Sequence, residues 1–275
     1  MKKPIAIQGI KGSFHHEVVQ YYFNNESDVV ECMTFDSLID TLLEKQTDEI
    51  VMALENSIAG SIIPNYALID NHQLSIVGEC YLDIQHHLMA LEHQVIEDIL
   101  EVHSHPMALL QCKVFFKDYP HIKLVEAKDT ADVAKQISEQ HIKGIAAIAS
   151  KNAARLYNLN ILAESIQTIQ HNETRFVIVK RENNQAEKEQ INKASLKFEL
   201  DHKRGSLAAL LNVLSDCKLN LTKIQSLPKI DTPWKYAFFV DVTFEDYKNY
   251  DKAKSIISLM AENFKVLGEY KNARP

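Results

Sequence analysis

The feature that most constrains this chain is a change of rhythm near residue 180. Before it, short β-rich runs alternate with amphipathic stretches: "PIAIQG", "SFHHEVVQYYF", "DVVECM", "FDSLIDTLLEK" and "EIVMALE". Such alternation predicts βαβ units over a mostly parallel sheet. A second series, "LEVHSH", "PMALLQCKVFF", "IKLVEA", "TADVAKQISEQ", "GIAAIAS" and "KNAARLY", predicts a second α/β lobe. Two long β-like stretches, "LSIVGECYLDIQHHLMALE" and "ILAESIQTIQHNETRFVIVK", run between the two series, so a ligand cleft between lobes is expected. The run "KRENNQAEKEQINK" then offers only Ala186 and Ile191 as apolar residues and reads as an exposed linker. Beyond it the pattern is strand, helix, strand, strand, helix, strand, the ferredoxin-like βαββαβ order.

With 275 residues, 46% of them hydrophobic, the chain can bury one large core or two of ordinary size. A net charge of −7 argues against a broad basic surface for nucleic acid or anionic membrane, so an anionic ligand has to be met locally. The apolar run in "MKKPIAIQGIKG" is broken by Gln8 and Gly9, and no run of eighteen apolar residues follows; a soluble, cytoplasmic protein is expected. Cys32, Cys80, Cys112 and Cys217 are scattered without a CxxC pair, as befits reduced core thiols.

Several helices begin at short hydroxyl or amide side chains: "GSF", "ENSIAGS", "DTAD" and "SKNAA". Each alone is a helix cap. Several aimed at one cleft would bind carboxylates through backbone N–H groups and the helix dipole, without many arginines. Glu55, Asn56 and Ser57 close the strand "EIVMA" at the end where α/β ligands sit. His103 and His105 are expected on one face of a strand, but no third ligand stands at convincing spacing, and no metal is predicted. Gly9 and Gly12 follow a strand without the GxGxxG spacing of a nucleotide loop, and neither a GxSxG elbow nor a Ser/His/Asp order is present. "HNETRF" places Asn172, Thr174 and Arg175, an amide, a hydroxyl and a permanent cation, at the entrance to an apolar strand.

These motifs, "GSF" at 12–14, "ENSIAGS" at 55–61, "SHPMALLQC" at 104–112, "TADVA" at 130–134 and "NETRF" at 172–176, with "GSLAALL", "NLTKIQSLP" and "WKYAFFVD" beyond the linker, resemble the prephenate dehydratases that carry a C-terminal ACT regulatory domain. The resemblance spans essentially the whole chain in the family's order. It implies an α/β fold with a two-lobed, periplasmic-binding-protein-like catalytic domain over 1–181 (lobe one 1–77 and 162–181, lobe two 78–161). A linker at 182–193 and a ferredoxin-like ACT domain over 194–275 would follow. It implies decarboxylative dehydration of prephenate to phenylpyruvate on the way to phenylalanine, with no metal or organic cofactor. Thr174, Glu55 and Asn56 would be catalytic, and Ser13, Ser57, Ser104, Gln111, Thr130, Arg175 and Phe176 would bind substrate. L-phenylalanine would act as allosteric inhibitor between paired ACT domains of a homodimer or homotetramer, at Gly205, Ser206, Leu207, Ala208, Asn220, Leu221, Gln225, Ser226 and Pro228.

Two departures concern the effector motif: Gln225 and Leu227 stand where the family carries Glu and Arg, which removes a charge pair. Two other readings fit the residues: an arogenate dehydratase, and a non-catalytic two-lobed anion-binding sensor with an amino-acid-binding ACT domain.

Overall fold

The computed structural model describes residues 3–24, 27–182, 187–201, 203–228 and 235–274. Part of the expected linker, 183–186, and Trp234 of the "WKYAFFVD" motif lie outside the described residues. In chain order the elements are β1 (Ile5–Gln8), α1 (Phe14–Tyr22), β2 (Val29–Cys32), α2 (Phe35–Leu43), β3 (Ile50–Asn56), β4 (Gly60–Ser61), α3 (Ile63–Asn71) and β5 (Ser75–Asp83). There follow β6 (His87–Ala90), β7 (Glu101–Ser104), α4 (Pro106–Cys112), β8 (Lys123–Glu126), α5 (Thr130–Gln140), β9 (Ile145–Ala149), α6 (Lys151–Leu156), β10 (Asn160–Ala163) and β11 (Glu173–Lys180). The last part holds β12 (Lys193–Glu199), α7 (Ser206–Asp216), β13 (Asn220–Pro228), β14 (Tyr236–Thr243), α8 (Tyr247–Met260) and β15 (Glu262–Tyr270).

The chain divides into two compact units, Met1–Gly60 with Tyr81–Phe176, and Ser61–Cys80 with Val177–Pro275. In the first, β1 runs parallel to β2 and β3, and β11 lies beyond β3. A second sheet has the order β10-β6-β9-β7-β8, with β7 parallel to β8 and β9, and β6 antiparallel to β9 and β10. Strand alternation sends the side chains of β9 to two cores. Ala147 and Ala149 pack with Ala131, Ala134 and Ile137 of α5, while Ala146 and Ile148 pack with Ala108, Leu109 and Cys112 of α4. Side chains cap the starts of helices here: Ser13 for α1, Thr34 for α2, His105 for α4, Asp129 for α5 and Ser150 for α6.

The second unit contains the βαββαβ run, in sheet order β13-β14-β12-β15 with antiparallel neighbours, as the ferredoxin-like pattern requires. β5 joins in parallel with β15 at Ile76 and Gly268, where a Cβ on Gly268 would meet the Ile76 carbonyl oxygen at 2.2 Å. β12 has two opposed faces. Ala194, Leu196 and Phe198 enter a core with Leu210, Leu214, Tyr250 and Ile257. On the other face Lys193, Ser195, Lys197 and Glu199 are all buried. Lys193 pairs with Glu79 at 2.8 Å, Lys197 with Glu199 at 3.0 Å and Asp70 at 3.4 Å, and Ser195 bonds Asp241 and Tyr270. Asp70 comes from α3 and Glu79 from β5, so the 61–80 segment gives this face its counter-charges.

Several expectations are corrected. The first long β-like stretch is two strands, β5 and β6, separated at 84–86, and the second is β10 and β11, separated by 164–172. The helix expected to begin at "ENSIAGS" begins later: Gly60–Ser61 form β4, and α3 starts at Ile63 without a side-chain cap, shows no apolar stripe and buries Asn65, Tyr66 and Ile69. α4 stops at Cys112, before a separate 3-10 turn at Phe115–Asp118, and α8 ends at Met260, leaving Glu262 onward to β15. The four cysteines are buried and free. No helix among the described residues is long and apolar enough to cross a membrane.

Breaking a buried ion pair from one side leaves an uncompensated charge, which costs about 3–5 kcal/mol. Lys193→Met is therefore expected to lower the unfolding free energy by that order, read as a lower urea midpoint at unchanged slope, and adding Glu79→Gln to the same chain should recover a large part of the loss.

Candidate active site

The site is built at the end of β3, where the apolar run Ile50–Leu54 gives way to Glu55 and Asn56. As the chain leaves the strand, the Asn56 side chain closes a turn on itself: Oδ1 accepts from the backbone N–H groups of Ile58 at 3.0 Å and Ala59 at 2.8 Å. Its Nδ2 is thereby aimed the other way. It donates to Asn172 Oδ1 at 2.7 Å and to Thr174 Oγ1 at 2.9 Å. Ser57 fixes the entry of β11: its N–H donates to Glu173 O at 2.8 Å, and its Oγ accepts from Glu173 N at 2.9 Å.

Strand alternation then sorts the "NETRF" residues. Asn172, Thr174 and Phe176 share one face, and the Phe176 ring meets the His15 ring edge-on at 4.9 Å. Burial lowers the His15 pKa to about 3, so this neutral imidazole and the phenyl ring form an apolar floor. Arg175 belongs to the opposite face and is 3% exposed. The structure does not bring it to the Asn56 amide. From α4, Gln111 completes the cluster: its Oε1 accepts from Asn172 Nδ2 at 2.9 Å and lies 2.9 Å from His86 Nε2.

A second group of residues converges on Gly9. Gly9 and Gly12 both have left-handed backbones, and a Cβ on Gly9 would lie 2.7 Å from Asp129 Oδ2 and 3.3 Å from the Ser13 side chain. The starts of α1 and α5 therefore meet there. Ser13 Oγ caps α1 by accepting from His16 N at 3.3 Å. Asp129 caps α5 through Asp132 N at 2.9 Å, and burial pushes its carboxyl above the usual range. Thr130 is the first residue of α5 rather than its cap.

Other candidates lie elsewhere. Ser104 is fully buried, its hydroxyl donated to Ile148 O at 2.6 Å, which joins β7 to β9. His103 and His105 do not share a strand face: β7 ends at Ser104, His103 bonds Glu101 at 2.8 Å, and His105 caps α4 by accepting from Met107 N. In the second unit, Gly205 with φ 87° precedes α7, and Ser206 Oγ donates to Lys203 O at 3.1 Å. Ser206 and Leu207 help to line a cavity of about 130 Å³ with Asp201, Lys203, Lys235 and Tyr236. Asn220 and Leu221 open β13, while Gln225, Ser226 and Pro228 close it.

The motif reading thus found Asn56, Ser57, Gln111 and Thr174, which the fold brings together. It left out of the site Asn172, which bridges Asn56 to Gln111, and His86, one of a doublet without a motif. Chemically, the cluster is a set of donors. Thr174 Oγ1 receives a hydrogen bond from Asn56, which leaves its own O–H available to donate, and Gln111, its carbonyl doubly engaged, is left with its amide N–H pair. The group that touches Thr174 is an amide N–H, which takes no proton, so this hydroxyl is arranged to donate rather than to be deprotonated as a nucleophile.

A family model described as prephenate dehydratase matches residues 5–184. The chain belongs to the prephenate dehydratase family. Among curated relatives it is similar to arogenate dehydratase 2 of Petunia hybrida, 38% identical over 82% of this chain and 56% of that protein. It is also similar to arogenate dehydratase/prephenate dehydratase 2 of Arabidopsis thaliana, 34% identical over 97% of this chain and 72% of that protein. Among solved structures, prephenate dehydratase of Arthrobacter aurescens in complex with L-Phe superposes with a TM-score of 0.88 over 98% of this chain and 90% of that one, at 22% identity. A protein described as GqqA, a quorum quenching acylase, superposes with a TM-score of 0.87 over 99% of both chains, at 25% identity. The prephenate dehydratase fold is thus shared along nearly the whole length.

Asn172 is the fully buried hub of the cluster. Asn172→Ala would remove one of the hydrogen bonds at Asn56 Nδ2 and one of the two at Gln111 Oε1, with an expected loss of about 0.5–1.5 kcal/mol for each, read as a lowered thermal unfolding midpoint.

Proposed function

We propose that this member of the family is a prephenate dehydratase that removes carbon dioxide and the ring hydroxyl from prephenate to give phenylpyruvate, serves phenylalanine synthesis in the cytoplasm, and is inhibited by L-phenylalanine. The observation that carries this reading is the Thr174 hydroxyl, which accepts from Asn56 and stands with Gln111 in one hydrogen-bonded cluster. Aromatisation of the ring supplies much of the driving force. The protein has to hold two carboxylates and protonate the departing hydroxyl.

In this reading Thr174 hydrogen-bonds the leaving oxygen, Glu55 supplies the proton, and Asn56 holds the threonine in place. Ser57, Gln111 and the helix starts at Ser13 and Thr130 receive the carboxylates, the last two through free backbone N–H groups. Arg175 acts through its charge from the other strand face, favouring an anion in the low-dielectric surroundings of Thr174. Phe176, backed by His15, shapes the floor. The names of the plant relatives motivate arogenate as the second substrate to try. An acylase would need a base to activate a nucleophile, and Asn56 is not one.

We further propose 1–181 as the catalytic domain and 194–275 as an ACT domain acting in a dimer or tetramer. The nine residues of β13 span roughly 26 Å at 3.3 Å per residue. One phenylalanine cannot touch both Asn220 and Pro228 of the same strand, but two paired strands from different copies could bring opposite ends to one ligand.

Purified protein is expected to turn over prephenate, and less of it when phenylalanine is added. Thr174→Ala should lower kcat by about a hundredfold or more, as expected for loss of a positioned proton-transfer partner. Turnover of neither prephenate nor arogenate would favour the sensor reading. Glu55→Gln should likewise lower kcat by about a hundredfold, as expected for loss of a general acid; an unchanged kcat excludes Glu55 as the acid.

A further inference from the structure

The end of the cluster away from Thr174 is an imidazole whose protonation is dictated by backbone groups. Side-chain amide orientations and histidine tautomers have to be inferred from their partners, and here one set of partners is unambiguous. The N–H groups of Ile58 and Ala59 can only donate, so the Asn56 atom they meet is the oxygen, and Nδ2 faces Asn172 and Thr174. The Asn172 atom facing that nitrogen must then be its oxygen, which turns Asn172 Nδ2 to Gln111. The Gln111 atom receiving it must be Oε1, and an oxygen 2.9 Å from His86 Nε2 requires a proton on that nitrogen. Each assignment forces the next.

His86 is 4% exposed, and burial lowers its pKa to about 4, so at neutral pH it is an uncharged ring with its proton on Nε2 and a bare Nδ1. That Nδ1 is buried and makes no hydrogen bond. A ring with the other tautomer would set two acceptors against each other at Gln111 and reverse the chain as far as Asn56. The ring plane is held by Phe14, edge-on at 5.8 Å, and the backbone by His86 N donating to Gln167 Oε1 at 2.9 Å.

We propose that His86 is a positioning residue: its Nε2–H anchors the Gln111 carbonyl, so that Gln111 presents its N–H pair to the substrate. The role rests on the dehydratase reading above. An apolar side chain would fill the same space without leaving a buried acceptor unpaired, which is the reason to assign His86 to orientation rather than packing.

Two measurements test this. A 15N–1H correlation spectrum of histidine-labelled protein at neutral pH should show His86 neutral with its proton on Nε2; a proton on Nδ1 overturns the proposal. With prephenate, His86→Leu should lower kcat about tenfold to a hundredfold, the range of one buried hydrogen bond. His86→Gln, whose amide nitrogen can stand where the ring Nε2 stands, should restore most of the rate. An unchanged kcat in His86→Leu, or a folded His86→Gln as slow as His86→Leu, overturns it. Should His86→Leu fail to fold, the tautomer and a near-wild-type His86→Gln still decide. Wild-type protein inactive on both prephenate and arogenate would overturn the dehydratase reading and this role with it, whereas an active wild type with an unaffected His86→Leu overturns this role alone.

Discussion

Two backbone N–H groups, those of Ile58 and Ala59, hold the oxygen of one asparagine, and the rest of the site is arranged around that constraint. A side-chain amide carries an acceptor at one end and donors at the other, so fixing one end fixes the direction of everything bonded to the other. From Asn56 the direction passes through Asn172 to Gln111 and His86 on one side, and to Thr174 on the other. Glutamate or aspartate at these positions would destroy that sense of direction, because a carboxylate only accepts. The neutral amides let a chain of net charge −7 present donors to an anion without adding negative charge beside it.

The second unit solves a different problem. A four-stranded ferredoxin-like sheet is covered by helices on one face only, and α7 and α8 supply that cover through the side chains around Leu196 and Phe198. The opposite face of β12 is not apolar: Lys193, Ser195, Lys197 and Glu199 are matched to Glu79, Asp241, Tyr270 and Asp70 by position rather than by hydrophobicity. Buried charge of this kind adds little net stability compared with an apolar interface, but it penalises every mismatched register.

How much of this was legible in the sequence follows from how each feature is encoded. "TADVAKQISEQ" could be read because its buried residues, Ala131, Val133, Ala134 and Ile137, recur at helical spacing, and "IAIQ" because a short apolar run buried on both faces is how a central strand is written. The start of α3 could not, because the helix has no side-chain cap and buries Asn65 and Tyr66 as well as Ile69, so no apolar stripe marks it. The break between β5 and β6 was hidden because Leu82-Asp83-Ile84-Gln85 keeps a strand-like alternation of apolar and polar residues with no glycine or proline to interrupt it. Within the site, Asn56, Thr174 and Gln111 stand in motifs. His86 gains its meaning only from a partner 25 residues away, and a doublet of histidines carries no local sign of which ring faces inward. Arg175 was read as a neighbour of Thr174, and adjacency along a strand is what puts two side chains on opposite faces.

The charged face of β12 also bears on how such a protein can be assembled from parts. A sheet that hid an apolar second face would be unsafe to separate from its covering segment, since the bared surface would stick to anything nearby. Here separation would expose lysines, a glutamate and a serine, and would return Asp70 and Glu79 to water as well. The side on which the βαββαβ module meets the 61–80 segment is therefore mixed: separation would return charge to water there, and the apolar surface bared would include the Phe239 ring that packs on Tyr66.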